Sequence, residues 1–167
     1  RYKPPPQGST KSIINMKYTP HEETRMHQML LSPHFTLGEF LKSGTAIRHG
    51  IDNTPPDIIF ILRMMMLCEV VLEPLRKRFG RIIITSGYRC HLLNMAVGGA
   101  FNSQHEMGEA ADIYIPDEET MRRYADFIRQ HCDFDQMILE PRGQPTAHRW
   151  LHVSYTLRRK NRHQILS

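Results

Sequence analysis

Apolar residues recur along this chain with two different periods, which divide it into helices and strands. The stretch NTPPDIIFILRMMMLCEVVLEPLRKRFG carries a long apolar face, with prolines near its start and basic residues in its last turn. These signals predict a helix that Thr54 caps and Gly80 ends. In DEETMRRYADFIRQHC, the residues Met121, Tyr124 and Ile128 fall on one helical face, which predicts a second, amphipathic helix.

Four other stretches have the composition and alternation of β-strands: RIIITSGYR, EAADIYI, FDQMILE and WLHVSYTL. Short helices are predicted in HFTLGEFLKSG, where Thr36 and Glu39 form a capping box, and in HLLNMA. The helices come first, the strands cluster later, and most connections are short. We therefore expect an α+β fold, with a small antiparallel sheet flanked by helices.

The two ends of the chain differ in composition from its middle. Residues 1–33 mix Pro, Ser, Thr, Lys and His without a clear period, which predicts an extended N-terminal arm. Residues 34–157 hold the periodic stretches and are expected to form one domain with a substantial core. Residues 158–167 are expected to form a basic, solvated C-terminal tail.

The charge of the chain narrows the range of partners. The net charge is +5 and the sequence pI is about 9.3, which favours anionic surroundings such as a wall polymer, a nucleic acid or a membrane surface. The basic tail lacks the interleaved aromatic residues of a nucleic-acid module, so we expect no nucleic-acid partner. The apolar run from Ile58 to Leu72 is interrupted by Arg63 and Glu69, so we expect a buried helix and no membrane span.

Strand alternation also indicates which way the candidate metal ligands point. Asp112 lies on the face of EAADIYI opposite its apolar side, and His152 lies on the face of WLHVSY opposite its apolar side. If these strands are neighbours, Asp112 and His152 converge, and the loop before the first strand can deliver His105 because Gly108 allows a sharp turn. Two imidazoles and one carboxylate suit catalytic zinc, although non-haem iron uses similar sets.

Each of these residues also has an explanation that involves no metal. The chain has 10 histidines, so a histidine seven residues before an aspartate can arise by chance, and turn chemistry would account for both residues. A histidine within an alternating strand can be half-buried, with its polar atoms satisfied by neighbours. Spacing alone leaves both interpretations open.

The segment SQHEMGEAAD resembles the SxHxxGxAxD motif of the zinc D,D-peptidases, the group that includes D-alanyl-D-alanine carboxypeptidases and phage L-alanyl-D-glutamate endopeptidases. The stretches SGYRC, VGGA, FDQMILE and WLHVSY are similar, in the same order, to the peptidoglycan-peptidase branch. The resemblance implies that residues 34–157 form a zinc peptidase-like catalytic domain with the hedgehog-like fold of that group. It also implies one zinc ion per chain, with His105, Asp112 and His152 as its ligands.

The resemblance leaves the general base open. Most members of the family have an acidic residue three positions before the last ligand, where this chain has Arg149. Glu140 is our candidate for the base, because it shares a strand face with Gln136 and would overlook the metal if this strand pairs with the last one. A solvated strand end is the alternative for Glu140. His148 is the second candidate, as a base or as a donor to the oxyanion.

Three residues are candidates for substrate binding. Arg89 follows a glycine turn at the end of a buried strand, and the resemblance implies that it binds a substrate carboxylate, for which a guanidinium fork is well suited. Ser103 is expected to contact the same part of the substrate or to fix the loop. Gln136, on the strand face of Glu140, is the third candidate.

The expected function is zinc-dependent hydrolysis of peptide bonds in peptidoglycan stem or cross-bridge peptides, by a D,D-carboxypeptidase or an endopeptidase. Anionic wall polymers are further candidate partners. We expect a monomer that acts at the bacterial cell wall, in the periplasm, outside the cell or delivered by a phage; the N-terminal residues lack the apolar core of a secretory signal. The alternative, favoured by Arg149, is a zinc-binding but inactive wall-binding or virion structural module.

Overall fold

A computed structural model of the protein describes residues 19–141 and 148–167. The helices in these ranges are α1 (Pro20–Gln28), α2 (Leu37–Leu41), α3 (Gly44–His49), α4 (Ile58–Leu67), α5 (Glu73–Phe79), α6 (His91–Ala96) and α7 (Glu118–His131). The strands in the same ranges are β1 (Leu30–Ser32), β2 (Phe35–Thr36), β3 (Ile84–Ser86), β4 (Ala110–Ile115), β5 (Gln136–Glu140), β6 (Arg149–Ser154) and β7 (Gln164–Leu166). A π-helical turn, Cys68–Leu72, joins α4 to α5, and a 3-10 turn, Gln104–Met107, precedes β4.

The main sheet, within the described ranges, has five strands in the order β3-β4-β6-β5-β7. Neighbouring strands are antiparallel except β5 and β7, which are parallel. In the centre of the sheet, Asp112 on β4 lies directly opposite His152 on β6, and Ile138 on β5 pairs with His152 from the other side. The α+β class predicted from the order of the elements is confirmed.

The core lies on one face of this sheet, where α7 packs against β4, β5 and β6. The strand residues that point into the core are almost fully buried: Ala111, Ile113, Ile115, Met137, Leu151 and Val153. The helices contribute further buried side chains: Leu67, Val71, Leu75, Met121, Ala125 and Ile128. Because the apolar side chains of β4 and β6 point to this core, Asp112 and His152 lie on the opposite face.

One continuous helix is formed by α4, the π-helical turn and α5, as the long apolar face predicted. Its N-cap is Asp57, whose carboxylate accepts a hydrogen bond from the Ile59 amide at 2.8 Å, so the prediction of Thr54 as the cap is wrong. A proline disfavours the helical conformation of the residue before it, so the two prolines after Thr54 delay the start of the helix. No helix in the described ranges has both the length and the apolar character needed to cross a membrane.

The structure differs from the expected extended arm between Pro20 and Ser32. Thr19 starts α1 with a capping box, in which its hydroxyl accepts a hydrogen bond from the Glu22 amide and the Glu22 carboxylate accepts one from the Thr19 amide. The sequence TPHE carries this capping signal. However, α1 has no buried residue, so no apolar stripe marked it as a helix. Residues 1–18 lie outside the described part of the chain.

The basic segment after β6 is bound to the domain, where we expected a solvated tail. Arg158 donates two hydrogen bonds to Glu109, at 2.7 and 2.8 Å, and Arg159 and Arg162 both bind Asp135. The side chains of Glu109 and Asp135 are fully buried, and β7 follows at the edge of the sheet beside β5. The local sequence could not show these contacts, because the buried carboxylates lie 24 to 49 residues away along the chain.

Removal of the Asp135 charge should destabilise the fold. In Asp135→Asn two guanidinium groups lose their carboxylate partner, and we expect the free energy of unfolding to fall by about 3 kcal/mol. Asp126→Asn is the matched control, because Asp126 pairs with Arg129 on the exposed surface of α7 and should contribute less than about 1 kcal/mol. Urea unfolding followed by circular dichroism measures both. Equally small losses would show that the buried ion pairs do not stabilise this segment.

The same carboxylate predicts a pH dependence of stability. Burial alone would raise the pKa of Asp135, but the hydrogen bonds from Arg159 and Arg162 outweigh burial and hold the pKa well below its ordinary value. Such a carboxylate stabilises the fold above its pKa in the unfolded chain, about 4, and this contribution is lost as the pH falls below that value. The difference in stability between the wild type and Asp135→Asn should therefore be full at neutral pH and shrink below about pH 4. A difference that stays constant through this range would contradict the assignment.

Candidate metal centre

Three side chains from two strands and a turn meet on the outer face of the main sheet. Asp112 and His152 face each other across the paired strands β4 and β6. The 3-10 turn before β4 places His105 beside them. His105 and Asp112 are buried and His152 is partly buried. The structure thus brings together the three residues predicted as metal ligands, called the triad below.

The spacing of the ligand atoms in the triad fits one metal ion. The Nε2 atom of His105 lies 3.2 Å from Nδ1 of His152 and 3.2 Å from Oδ1 of Asp112. The Nδ1 atom of His152 lies 2.9 Å from the same carboxylate oxygen. Around a tetrahedral zinc ion with bonds of about 2.1 Å, ligand atoms are roughly 3.4 Å apart. Three protein ligands also leave the fourth coordination position for water or substrate, as in catalytic zinc sites.

A backbone carbonyl fixes the orientation of His105. The Nδ1 atom of His105 donates a hydrogen bond to the carbonyl oxygen of Gly87, 2.6 Å away. With the proton on Nδ1, the electron pair of Nε2 faces Asp112 and His152, as a metal ligand requires. The backbone of Gly87 passes close to α2, since a Cβ at this position would lie 2.6 Å from the Cα of Phe40. A residue with a side chain at this position would therefore displace the carbonyl.

The charge states of His105 and Asp112 suit a metal cation. Burial lowers the pKa of His105, and the nearby Asp112 offsets this only in part, so the imidazole is held neutral. Burial alone would raise the pKa of Asp112, but the adjacent imidazoles of His105 and His152 outweigh burial and hold the pKa well below its ordinary value. Neutral imidazole and ionised carboxylate are the forms that bind a divalent cation.

The turn that carries His105 is closed at both ends by local interactions. The hydroxyl of Ser103 accepts a hydrogen bond from the His105 amide at 3.3 Å and caps the 3-10 turn. The turn ends at Gly108, whose φ of 71° is left-handed and whose Cβ, if present, would lie 2.7 Å from the carbonyl oxygen of Phe60. Ser103 therefore fixes the loop, which is one of the two roles expected for it.

Arg89 lies beside the triad and presents an unsatisfied donor. Its Nη1 is 3.9 Å from Oδ2 of Asp112, and its Nε is buried without a hydrogen-bond partner among the described residues. Asn53 holds the loop that carries Arg89, because its side-chain amide donates to the carbonyl of Tyr88 at 2.9 Å and accepts from the amide of Cys90 at 2.8 Å. A buried donor without a partner is unfavourable, so this N–H group is suited to bind an anionic ligand.

A cleft of about 800 Å³ lies over the triad. Four residues predicted to act in catalysis or substrate binding line it: Arg89, Ser103, Gln136 and Glu140. Gln136 and Glu140 share the face of the triad because Ile138, which lies between them on β5, pairs with His152. His148 is exposed just before β6 and is not among the described residues that line this cleft.

Comparison with known proteins identifies the family to which this site belongs. A family model described as Peptidase M15 matches residues 33–154, which include the triad and Glu140. The chain belongs to the peptidase M15 family. The resemblance to the zinc D,D-peptidases found in the sequence is thereby confirmed at the level of the family. Comparison with curated proteins gives no match.

Several parts of the cleft in this M15 peptidase were missed in the sequence. Arg158, Arg159 and Arg162 line it, although they follow the last residue of the family match. Trp150 also lines the cleft. Strand alternation predicts this position, because Trp150 lies two residues before His152 and therefore on the same face of β6. No comparable signal exists for the arginines, which follow β6 in a segment without period.

Loss of one ligand should abolish metal binding in this M15 peptidase. His152→Ala leaves two ligands, and we expect zinc affinity to fall by more than about a hundredfold, since loss of a residue that merely orients a ligand already costs about 10- to 100-fold. Isothermal titration calorimetry and the zinc content of the purified protein measure this. His131→Ala, an exposed histidine at the end of α7, is the control and should bind zinc as the wild type does. Undiminished zinc binding by His152→Ala would rule out the triad as the metal site.

Proposed function

We propose that this protein is a zinc-dependent peptidase that hydrolyses peptide bonds in peptidoglycan stem or cross-bridge peptides. The observation that carries the proposal is the triad, with the Nε2 atom of His105 directed to its partners by the Gly87 carbonyl, at the floor of a cleft lined by arginines. The ligand set and its spacing fit a catalytic zinc site. Membership of the peptidase M15 family supports the hydrolysis of peptide bonds.

Zinc bound at the triad would polarise the scissile carbonyl and lower the pKa of a water molecule to about 7. The protein must then take a proton from the water and return it to the leaving amine. We propose Glu140 for this role, because it lies on the face of the triad, two residues along β5 from Ile138 and hence roughly 7 Å from the strand positions of Asp112 and His152. A carboxylate at this position can reach a water molecule or a leaving group held between it and the triad.

The arginine at the position where most of the family has an acidic residue does not prevent this chemistry. Arg149 begins β6, and strand alternation puts it on the opposite face from His152. Its charge acts on Asp117, the N-cap of α7. Among the described residues, Asp112 and Glu140 are the carboxylates that line the cleft. Because Asp112 belongs to the triad, we assign the base to Glu140.

Arg89 is proposed to bind a carboxylate of the substrate next to the bond that is cleaved. Its guanidinium lies against Asp112 with a buried, unpartnered Nε, so an incoming carboxylate would satisfy a donor that the described residues leave without a partner. The fork of N–H groups on arginine matches the two oxygens of a carboxylate. Gln136 lies on the same wall as Glu140 and is proposed to contact the peptide backbone of the substrate.

The choice of substrate class and location rests on charge. Peptidoglycan peptides are rich in free carboxylates, and the cleft is lined by four arginines: Arg89, Arg158, Arg159 and Arg162. The net charge of +5 favours association with anionic wall polymers. We propose accordingly that the protein acts at the bacterial cell wall, whether it reaches the wall from the periplasm, from outside the cell or with a phage.

Glu140→Gln should abolish hydrolysis and leave zinc binding intact. Loss of a general base lowers turnover by at least about a hundredfold, whereas an uncharged amide of the same size preserves the strand. Digestion of purified peptidoglycan, with mass spectrometry of the products and with and without a chelator, measures the activity. The zinc content of the same samples shows whether the triad is unaffected.

Glu119→Gln is the matched control, because Glu119 lies on the exposed first turn of α7 and should keep full activity. Full activity of Glu140→Gln would refute the assignment of the base, and His148→Ala would then test the second candidate. A wild-type protein that binds zinc but releases no fragment from peptidoglycan would favour the second candidate function, an inactive wall-binding or virion structural module.

A further inference from the structure

We infer that Arg158, Arg159 and Arg162 form a second anion-binding subsite in the cleft, which selects peptides that carry a further carboxylate besides the one bound by Arg89. These three residues are called the arginine rim below. The inference rests on the proposed function and makes its substrate class more specific: a peptide with at least two negative charges near the bond that is cleaved.

The arginine rim lies on one side of the triad, and Glu140 lies on the other side. The ligand row of the sheet contains Asp112, His152 and Ile138. Two residues away along the strands, on the same face, Ala110 pairs with Ser154. Gln136 lies beside this pair, because its backbone N–H donates a hydrogen bond to the Ser154 hydroxyl at 3.0 Å. Two residues along a strand span roughly 7 Å.

Glu109 and Asp135, the two carboxylates that bind the arginine rim, lie just beyond the row that contains Ala110, Ser154 and Gln136. Glu109 precedes β4, and its carbonyl accepts a hydrogen bond from the Tyr155 amide at 3.0 Å. Asp135 precedes β5, and its amide donates to the Ser154 carbonyl at 2.7 Å. The cleft therefore has a cationic end at the start of β4 and β5 and an acidic end at Glu140, with the triad between them.

The arginine rim carries more positive charge than its buried partners neutralise. Three guanidinium groups bind two carboxylates, Glu109 and Asp135, whose side chains are fully buried. Arg63 contributes a further positive charge 3.7 Å from Glu109. The side chains of Arg158, Arg159 and Arg162 nevertheless remain 46%, 42% and 45% exposed, so the surplus charge faces the solvent of the cleft.

The ion pairs also hold the rim in a geometry suited to binding. Among the described residues, Arg158 uses Nε and Nη2 to bind Glu109, and Arg162 uses the same two atoms to bind Asp135. Each guanidinium has five N–H donors, so further donors remain for a ligand. Because the side chains are already fixed, a ligand loses less binding free energy to their ordering.

The position of the arginine rim relative to the triad indicates the kind of substrate. The rim begins beyond the row of Ala110 and Ser154, which itself lies roughly 7 Å along the sheet from Asp112 and His152. An extended peptide covers about 3.3–3.6 Å per residue, so the second carboxylate lies at least about two residues from the bond that is cleaved. An internal acidic residue in a short peptide meets this requirement.

The test uses two synthetic stem-type peptides that are identical except that the carboxylate of an internal glutamate is free in one and amidated in the other. For the zinc-loaded wild type, we expect kcat/KM for the free peptide to exceed that for the amidated peptide by about tenfold, mainly through KM, since charge-assisted hydrogen bonds stabilise the bound ligand. Equal kcat/KM values would overturn the inference.

The residues are tested with Arg159→Gln and Arg162→Gln, each of which leaves Asp135 one arginine partner. Both should lower kcat/KM for the free peptide by about threefold to tenfold and leave that for the amidated peptide within about twofold. Arg129→Gln, which removes the same charge from the surface of α7, should change neither. If the variants lower both values equally, the arginine rim is only structural and the inference fails.

Arg159→Lys and Arg162→Lys replace the glutamine variants if those do not fold, because lysine retains the ion pair with Asp135 and loses the guanidinium fork. They should reduce the preference for the free peptide by about threefold. If the wild type cleaves neither peptide, the proposed hydrolysis of stem peptides fails, and calorimetric binding of the two peptides then decides the inference separately. Tighter binding of the free peptide that the arginine variants lose would support it, and equal binding would overturn it.

Discussion

The structure depends on the pairing register of β4 with β6. Six consecutive residue pairs, from Ala110 with Ser154 to Ile115 with Arg149, join the two strands without a bulge. This register points one set of side chains into the core and brings Asp112 and His152 face to face on the other side. A slip of one residue would separate these two ligands and move apolar residues out of the core. The core and the candidate metal centre are therefore specified by the same hydrogen-bonded ladder.

Two buried carboxylates impose a second constraint. Glu109 and Asp135 precede β4 and β5, and a buried charge needs partners with good geometry to be tolerated. Their closest arginine partners come from the segment after β6, so these arginines attach the C-terminal strand and also give the cleft its cationic end. These arginines follow residue 154, the last residue of the family match, so the match says nothing about the charge at this end of the cleft.

Local patterns and long-range contacts differ in how well they could be predicted. The faces of β4 and β6 could be predicted because alternation is a property of neighbouring residues, and the sides of Asp112 and His152 followed from it. Their convergence required that the strands be neighbours, which no local pattern shows. The start of α4 was misplaced at Thr54 because two capping signals compete there and the prolines favour the later one, Asp57.

Contacts between distant segments left no signal in the sequence. A carbonyl has no side chain to mark it, so the role of Gly87 in orienting His105 could not be predicted. The arginines after β6 looked like a solvated tail because their carboxylate partners lie far away along the chain. Similarly, α1 lacks an apolar stripe because its side chains are not buried, and only the capping box at Thr19 marked it.

His105, Asp112 and His152 are proposed to bind one zinc ion in the cleft. A crystal structure of the zinc-loaded protein, with diffraction data collected at the zinc absorption edge, tests this most directly. We expect a single strong anomalous peak about 2.1 Å from Nε2 of His105, from the carboxylate of Asp112 and from Nδ1 of His152. A peak bound elsewhere, or a triad whose imidazoles point apart in the presence of saturating zinc, would contradict it.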